Sequence, residues 1–157
     1  KLQIFIAFGF GAGAMPKAPG TAGSLVGILA AIGYRCATND AGWVGEFPKL
    51  VEILVLTTVF AGGWYAIHRT EAFTGLHDDP RIVIDEVIGQ WIAFLPLRGT
   101  LSLTEIIMGF ALFRFFDILK PWPISWADRT LRSSFGTLFD DVLAGIAAAA
   151  ALFMVES

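Results

Sequence analysis

Long apolar stretches alternate with short polar segments along the chain of 157 residues. The longest stretch, residues 50–67, carries one charged side chain, Glu52, and as a helix would be about 27 Å long, enough to cross the hydrocarbon core of a bilayer. Residues 24–34, where a helix could extend by a turn at either end, and residues 142–155 are two further apolar stretches. The pattern predicts membrane-embedded helices at all three places.

Two apolar segments in the middle of the chain are separated by a break at Pro96, Arg98 and Gly99. Residues 86–97 would form a helix of only about 18 Å, and the apolar pattern resumes over residues 103–119. The two segments are therefore predicted to form a helical hairpin.

The first apolar segment, residues 2–10, is too short to span a bilayer, so it is interpreted as a half-helix that leads into a glycine-rich loop. No internal repeat or flexible linker divides the chain, which predicts a single domain over residues 1–157. The predicted fold is all-α: a helical integral membrane protein with about four membrane-embedded helices plus short interfacial or half helices.

The composition agrees with this fold and disfavours several other classes of protein. Apolar residues make up 55% of the chain and charged residues 16%, with a mean hydropathy of +0.67, which argues against a simple soluble domain and against disorder. The formal net charge of −3 provides no basic surface for nucleic acid. The single cysteine, Cys36, cannot form an internal disulfide or a cysteine-rich zinc site.

The few charged residues gather on one predicted side of the membrane. If the helices alternate across the bilayer, segments 9–23, 69–85 and 114–141 share that side, together with the acidic pairs Asp78-Asp79, Asp85-Glu86 and Asp140-Asp141. Seven basic residues lie there against three on the other side, so the positive-inside tendency predicts that it faces the cytoplasm. The seven are Lys17, Arg69, Arg81, Arg114, Lys120, Arg129 and Arg132, and the three are Arg35, Lys49 and Arg98.

Two of the acidic pairs stand at predicted helix starts. Either pair alone could cap its helix, which would contribute about 1 kcal/mol. Capping is a weaker explanation for two acidic pairs on the same side of the membrane. Four carboxylates held close together repel one another unless a cation neutralises them. Clustered carboxylate oxygens suit a hard ion, so Asp85, Glu86, Asp140 and Asp141 together are interpreted as ligands of Mg²⁺.

Arg114, Asp117 and Lys120 are spaced three residues apart and share one face of a helix. They could form an ion ladder within the helix, or a phosphate-binding group beside the metal, and charges this close to an apolar helix favour the second interpretation. The chain lacks a G-x-S-x-G motif, an Asp-x-Asp pair and a nucleotide-binding P-loop. What remains is metal-assisted attack on a phosphoryl group.

Two further places are ambiguous from the residues alone. In the loop of residues 16–24, a helix-capping turn with Thr21 or Ser24 as N-cap is the favoured interpretation. Asp128 could equally be a surface charge, and the nearby Trp122 and Trp126 are typical of the membrane interface.

Four motifs in order, GFGAGAMPKAPGTAGS, HDDPRIVIDEVIGQWIAFLPL, FRFFDILKPWPISWADR and DDVLAG, resemble the phosphatidylglycerophosphatase A family of bacterial inner-membrane lipid phosphatases. The resemblance implies Mg²⁺-dependent hydrolysis of phosphatidylglycerophosphate to phosphatidylglycerol and inorganic phosphate. It also implies that the Thr21/Ser24 loop and Asp128 belong to the site, and it assigns no role to His77. Residues that match the family pattern are Pro19, Gly20, Thr21, Gly23, Ser24, Asp85, Glu86, Gly89, Arg114, Asp117, Lys120, Pro121, Asp128, Asp140, Asp141 and Gly145.

The predicted site has three sets of residues. Catalytic groups are Asp85, Glu86, Asp117 and Asp128; substrate contacts are Thr21, Ser24, Arg114 and Lys120; metal ligands are Asp85, Glu86, Asp140 and Asp141. The chain departs from the family at residues 133–137, where only Gly136 remains of a usually glycine-rich run.

Two other interpretations stay open from the sequence. One is a small transporter or cation-binding helical membrane protein without phosphatase activity, and the other is a soluble helical bundle, since several helices are short for spans. The sequence also leaves the oligomeric state open.

Overall fold

The computed structural model describes residues 1–39, 48–76, 79–131 and 133–156, and among these residues the only regular secondary structure is helical. The prediction of an all-α fold is confirmed. His77, Asp78 and Arg132 lie outside the described residues. The α-helices, in chain order, are α1 (Leu2–Ala7), α2 (Pro19–Asn39), α3 (Pro48–Thr74), α4 (Ile84–Ala93), α5 (Leu103–Leu119), α6 (Ile124–Thr130) and α7 (Ser134–Glu156), with 3-10 turns over Gly9–Ala14 between α1 and α2.

Three helices in the described part of the chain are long and apolar enough to cross a membrane, over Pro19–Thr38, Lys49–Thr74 and Ser134–Val155. α5 has 17 residues and would be about 25 Å long, so the predicted count of about four membrane-embedded helices is approximate. The outward sides of the three long helices carry exposed Leu29, Leu54 and Met154. Faces of this kind suit lipid chains better than water.

α2 is longer than the apolar stretch that predicts it. It begins at Pro19, because proline has no N–H to leave unpaired and therefore suits the first helical position. Ser24 consequently lies in the second turn, where its buried hydroxyl donates to the Gly20 carbonyl at 3.0 Å. Because Thr21 and Ser24 both lie inside the helix, the interpretation of either residue as its N-cap is wrong.

α7 also begins earlier than predicted, at Ser134 rather than at Asp140. The preceding residue, Ser133, supplies the cap: its side-chain oxygen accepts the backbone N–H of Gly136 at 3.3 Å. Gly136 packs so tightly that a Cβ there would overlap the carbonyl of Leu131. The segment thus keeps its glycine at the tightest point. The alternative of helix capping by Asp140-Asp141 is wrong, because both residues lie about two turns inside the helix.

α4 is a half-helix of 10 residues, about 15 Å long, which enters the bundle without crossing it. It begins at Ile84, two residues earlier than predicted, and Val83 precedes it as N-cap without a side-chain cap bond. It ends at Ala93, earlier than predicted, because the next residues form tight turns ahead of Pro96, which disfavours helix in the residue before it. Asp85 and Glu86 therefore lie in its first turn.

α5 has the predicted bounds, and its first turn is fixed by a capping box between Ser102 and Glu105. α4 and α5 run as the predicted hairpin, and Phe94, just after α4, packs against Gly109 of α5. The main contacts of α4 are nevertheless with α2 and α7, which enclose it on two sides.

α4 and α7 cross at a pair of glycines. A Cβ on Gly89 would lie 2.6 Å from the carbonyl oxygen of Asp141, and a Cβ on Gly145 would overlap the carbonyl of Gly89. The missing side chains let the two backbones approach closely. Asp85 precedes Gly89 by one turn and Asp141 precedes Gly145 by one turn, so the crossing brings both carboxylates together.

A buried charge network holds the other end of α4, and we call it the far-end network. Arg35 of α2 donates to the carbonyl of Phe94 at 2.7 Å, and Lys49 Nζ of α3 lies 2.9 Å from the carboxylate of Glu52. The same Glu52 carboxylate accepts the indole N–H of Trp91 at 3.2 Å. Since backbone carbonyls at membrane depth need donors within the protein, this network allows the chain to turn there.

Candidate active site

A cavity of about 690 Å³ lies at the end of the bundle where α2 and α7 begin and α5 ends, which we call the site end. Seven carboxylate and two cationic side chains line it, so its own charge is strongly negative and favours binding of a cation. The carboxylates are Asp79, Asp85, Glu86, Asp117, Asp128, Asp140 and Asp141, and the cations are Arg114 and Lys120.

The centre of the cavity is a cluster of three acids, Asp85, Glu86 and Asp141. Each offers a carboxylate oxygen, and these three atoms all lie within 4.8 Å of one another. Asp85 and Asp141 are buried, and Oε2 of Glu86 and Oδ2 of Asp141 are inaccessible and have no hydrogen-bond partner among the described atoms. Buried carboxylate oxygens without donors are costly unless something positive meets them.

Electrostatics within the cluster also favour a cation. Burial, together with the negative charges of Glu86 and Asp141, raises the pKa of Asp85 well above its ordinary value. Burial likewise raises the pKa of Glu86. A hard divalent ion with oxygen ligands would remove this repulsion, so the donor set fits Mg²⁺.

Arg114 and Asp117 stand beside the acid cluster on the last turns of α5. Arg114 Nη1 lies 2.6 Å from Asp117 Oδ2, and the pair is largely buried. Gly20 at the start of α2 packs against the same place, because a Cβ there would lie 3.3 Å from Arg114 Nη1 and would overlap the carboxylate of Glu86. The lack of a side chain at Gly20 thus leaves room for the Glu86 carboxylate.

Lys120 ends α5 in a left-handed conformation, with φ 42°, and turns its side chain towards α6 and α7. Its Nζ lies 2.5 Å from Asp128 Oδ1 and 2.5 Å from Asp140 Oδ2. Burial opposes the charged form, but the hydrogen bonds that the Lys120 ammonium donates to both carboxylates hold the pKa of Lys120 above its ordinary value. Lys120 therefore stays a cation at neutral pH.

The structure divides the four predicted metal ligands. Asp85, Glu86 and Asp141 converge, whereas Asp140 points to Lys120. Oδ1 of Asp140 remains without a partner among the described atoms, and its role as a ligand stays a prediction. The predicted catalytic residues Asp117 and Asp128 both line the cavity.

The two hydroxyl side chains predicted to bind substrate do not line the cavity. The Ser24 hydroxyl is buried in α2 and bonds to Gly20, and the cavity wall there is formed by Ala18, Pro19 and Gly20, which leaves out Thr21. The resemblance placed this loop at the site, and the structure brings its backbone, rather than these hydroxyls, to the cavity.

Asp79 is a cavity residue that the sequence placed on the predicted site side, in the pair Asp78-Asp79, but to which no role in the site was assigned. Its buried carboxylate accepts the backbone N–H of Arg81 at 3.0 Å and pairs with Arg81 Nη2 at 2.7 Å. These hydrogen bonds to Arg81 hold the pKa of Asp79 below its ordinary value. The Asp-Pro-Arg sequence is typical of a turn closed by an aspartate side chain. This pattern was the sequence signal that could have indicated an ordered position for Asp79.

Comparison with known proteins identifies the family of the chain. The sequence matches a family model described as phosphatidylglycerophosphatase A over residues 5–156. The chain belongs to the phosphatidylglycerophosphatase A family. The resemblance inferred from the four motifs is confirmed.

Relatives in three bacteria match nearly the whole chain. Phosphatidylglycerophosphatase A of Escherichia coli is 37% identical over 96% of this chain and 81% of its own length, and that of Haemophilus influenzae is 39% identical over 96% and 86%. A Bacteroides thetaiotaomicron protein, provisionally named a phosphatidylinositol-3-phosphatase, is 36% identical over 92% and 87%. No solved structure matches the chain.

Proposed function

We propose that this protein hydrolyses the phosphomonoester of phosphatidylglycerophosphate to give phosphatidylglycerol and inorganic phosphate. Two relatives that cover 96% of the chain are named for this activity. The observation that carries the proposal is the convergence of Asp85, Glu86 and Asp141 beside Arg114 and Lys120. Acids that bind a metal and cations that bind phosphate are the two components of metal-assisted phosphoryl hydrolysis.

Asp85, Glu86 and Asp141 would hold Mg²⁺, with the unpartnered oxygens of Glu86 and Asp141 as two of the donors. Bound there, the ion would neutralise phosphoryl oxygens and lower the pKa of a water molecule. Arg114 and Lys120 contact the remaining phosphoryl oxygens and stabilise charge that develops in the transition state.

Hydrolysis forms a bond from a water oxygen to phosphorus and breaks the bond from phosphorus to the glycerol oxygen. The water loses a proton, and the leaving glycerol oxygen gains one. Lys120 is too weak an acid to exchange this proton at neutral pH, because its pKa is raised. Asp117 holds Arg114, and Asp128, whose side chain is 43% exposed, is the carboxylate that reaches solvent and exchanges the proton.

The proposed location is the bacterial inner membrane, with the cavity on the cytoplasmic side. The described basic residues at the site end are Lys17, Arg69, Arg81, Arg114, Lys120 and Arg129, whereas Arg35, Lys49 and Arg98 lie at or beside the far-end network. This excess of positive charge supports a cytoplasmic site end. The acids lie at one end of the bundle rather than at mid-membrane, which favours catalysis over the alternative of a transporter.

The test is release of phosphate from phosphatidylglycerophosphate in neutral detergent micelles. We expect turnover with Mg²⁺ and loss of turnover with a chelator, restored by added Mg²⁺. Glu86→Gln should lower kcat by at least 100-fold and weaken Mg²⁺ binding in calorimetry, because an amide cannot replace the charge of a ligand. Glu105→Gln, which changes a partly exposed glutamate outside the cavity, is the matched control.

A wild-type protein that binds Mg²⁺ but releases no phosphate would contradict the proposal. Phosphatidylinositol 3-phosphate should be assayed in parallel, because one relative is provisionally named for that activity and both lipids carry a phosphomonoester. If the protein prefers the inositol lipid, the proposed chemistry of the site stands but the proposed substrate is wrong.

A further inference from the structure

Among the described residues beside the cavity, one cation has no polar partner. Arg114 and Lys120, which line the cavity, are in ion pairs. Of the cations next to lining residues, Arg81 pairs with Asp79, and Arg129 donates to the carbonyl of Ser125 at 3.0 Å. Among the described residues that flank the lining, Lys17 alone has neither an ion pair nor a side-chain hydrogen bond, and it is exposed.

Lys17 directly precedes the wall formed by Ala18, Pro19 and Gly20. Ala18 adopts a left-handed conformation with φ 52°, and its carbonyl accepts the N–H of Thr21 at 3.1 Å, so the turn after Lys17 is fixed. Gly20 packs against Glu86 and Arg114. Three residues of chain span at most about 11 Å, so the backbone of Lys17 lies within that distance of Gly20, the wall residue beside the acid cluster.

The proposed substrate has two phosphates. The terminal phosphomonoester would meet the metal, Arg114 and Lys120, and the phosphodiester lies one glycerol unit further towards the lipid chains. The other charged side chains that line the cavity are carboxylates, which would repel this second anion. A flexible ammonium group at the rim suits a phosphodiester anion.

We propose that Lys17 contacts the phosphodiester of the lipid substrate and so selects glycerophospholipid monoesters over soluble phosphomonoesters. The proposal rests on the proposed function, since it assumes that the phosphomonoester occupies the acid cluster. It makes Lys17 a specificity-determining residue, separate from the groups at the reacting phosphorus.

The test compares Lys17→Ala and Lys17→Arg on two substrates, phosphatidylglycerophosphate in neutral micelles and soluble glycerol 3-phosphate. We expect Lys17→Ala to raise KM for the lipid by about tenfold or more with kcat within about twofold, the loss typical of one charge-assisted hydrogen bond. The value of kcat/KM for glycerol 3-phosphate should not change, and Lys17→Arg should restore most of the lipid KM. The product phosphatidylglycerol, which keeps only the diester, should inhibit Lys17→Ala more weakly than wild type.

Arg69→Ala is the matched control, because it removes an exposed cation from the site end away from the cavity. An equal loss with Arg69→Ala would show a general effect of surface charge and overturn the proposal. Equal losses on both substrates would also overturn the proposal, because they would mean that Lys17 contacts the scissile phosphate. Unchanged inhibition by phosphatidylglycerol would overturn it too, because it would mean that Lys17 does not contact the phosphodiester. Absence of turnover by the wild-type protein would instead count against the proposed function.

Discussion

The two residues of an acidic pair on a helix do not have to serve the same ion. Adjacent helical side chains point about 100° apart, so Asp141 faces the cluster while Asp140 faces Lys120. Asp85 and Glu86 both reach the cluster, because the longer glutamate side chain can bend back towards its neighbour. The set of acids was predictable from the sequence, whereas this division depends on where α7 begins and which way it is rotated.

Gly20 provides a direct test of the packing around Glu86. In Gly20→Ala the added methyl group would overlap the Glu86 carboxylate and crowd Arg114. The carboxylate must move, and small displacements of catalytic groups cost about 100-fold in rate. We expect kcat for phosphate release to fall by at least tenfold while the purified protein keeps its helical circular dichroism.

Gly62→Ala is the control for this substitution, since a Cβ at that position of α3 meets nothing within 4 Å. It should leave kcat unchanged and stabilise α3 by about 0.5–1 kcal/mol, because alanine favours helix over glycine. Normal kcat in Gly20→Ala would show that Glu86 tolerates the shift and is not held by this contact.

Where tertiary contacts decide whether a residue lines the cavity, the local sequence did not predict its position. Asp79 reaches the cavity because the segment before α4 packs against α1, where the Val83 N–H bonds the Ala7 carbonyl at 2.9 Å. Thr21 and Ser24 illustrate the opposite case, since their side chains suit a polar loop but α2 starts early enough to enclose them. Side-chain chemistry alone therefore did not decide which polar residues line the cavity.

Helix bounds were predictable where local signals agreed with packing. α5 has both an apolar pattern and a capping box, and its bounds are the predicted ones. α7 combines a weak start signal at Ser133 with a strong acidic pair about two turns further on, and the weak signal determines the start because Leu138 is needed in the core. Acidic residues in an apolar segment can thus be mistaken for caps when they are buried for function.

The half-helix α4 carries the acid pair at one end and depends on the far-end network at the other. Arg35 donates to the carbonyls of Phe94, Leu97 and Gly99. Its removal in Arg35→Ala would leave these carbonyls without their donor and would remove the ion pair of 3.8 Å between Arg35 and the buried Glu52, a loss on the order of 3 kcal/mol. We expect a lower melting temperature and a fall in kcat of about tenfold or more, because α4 can then shift along its axis.

Arg35→Lys keeps the positive charge but has fewer hydrogen-bond donors, so it should recover part of the melting temperature and part of kcat. Arg98→Ala, which removes an exposed cation from the same end, should change neither. A lower melting temperature with unchanged kcat at a temperature where the variant is folded would mean that the far-end network stabilises the bundle without positioning Asp85 and Glu86.

At the scale of the whole molecule, α2 connects the two ends that must lie on opposite sides of a membrane. Its first residues form the cavity wall, and Cys36, near its other end, is exposed. Twenty residues of α2 are apolar enough to span a bilayer. The lone cysteine is therefore a natural reporter of orientation, because it lies on the side opposite the cavity.

If the site end faces the cytoplasm, a membrane-impermeant maleimide added to intact bacterial cells should modify Cys36. In a Cys36→Ser variant that also carries Arg69→Cys at the site end, modification should require permeabilised inner membranes. The double variant should keep phosphatase activity in detergent, since neither of the two changed residues lines the cavity. The reversed labelling pattern would place the acid cluster on the outer face, because one helix cannot present both of its ends to the same side. Labelling of both cysteines in intact cells would contradict a transmembrane α2 and favour a soluble or surface-bound bundle.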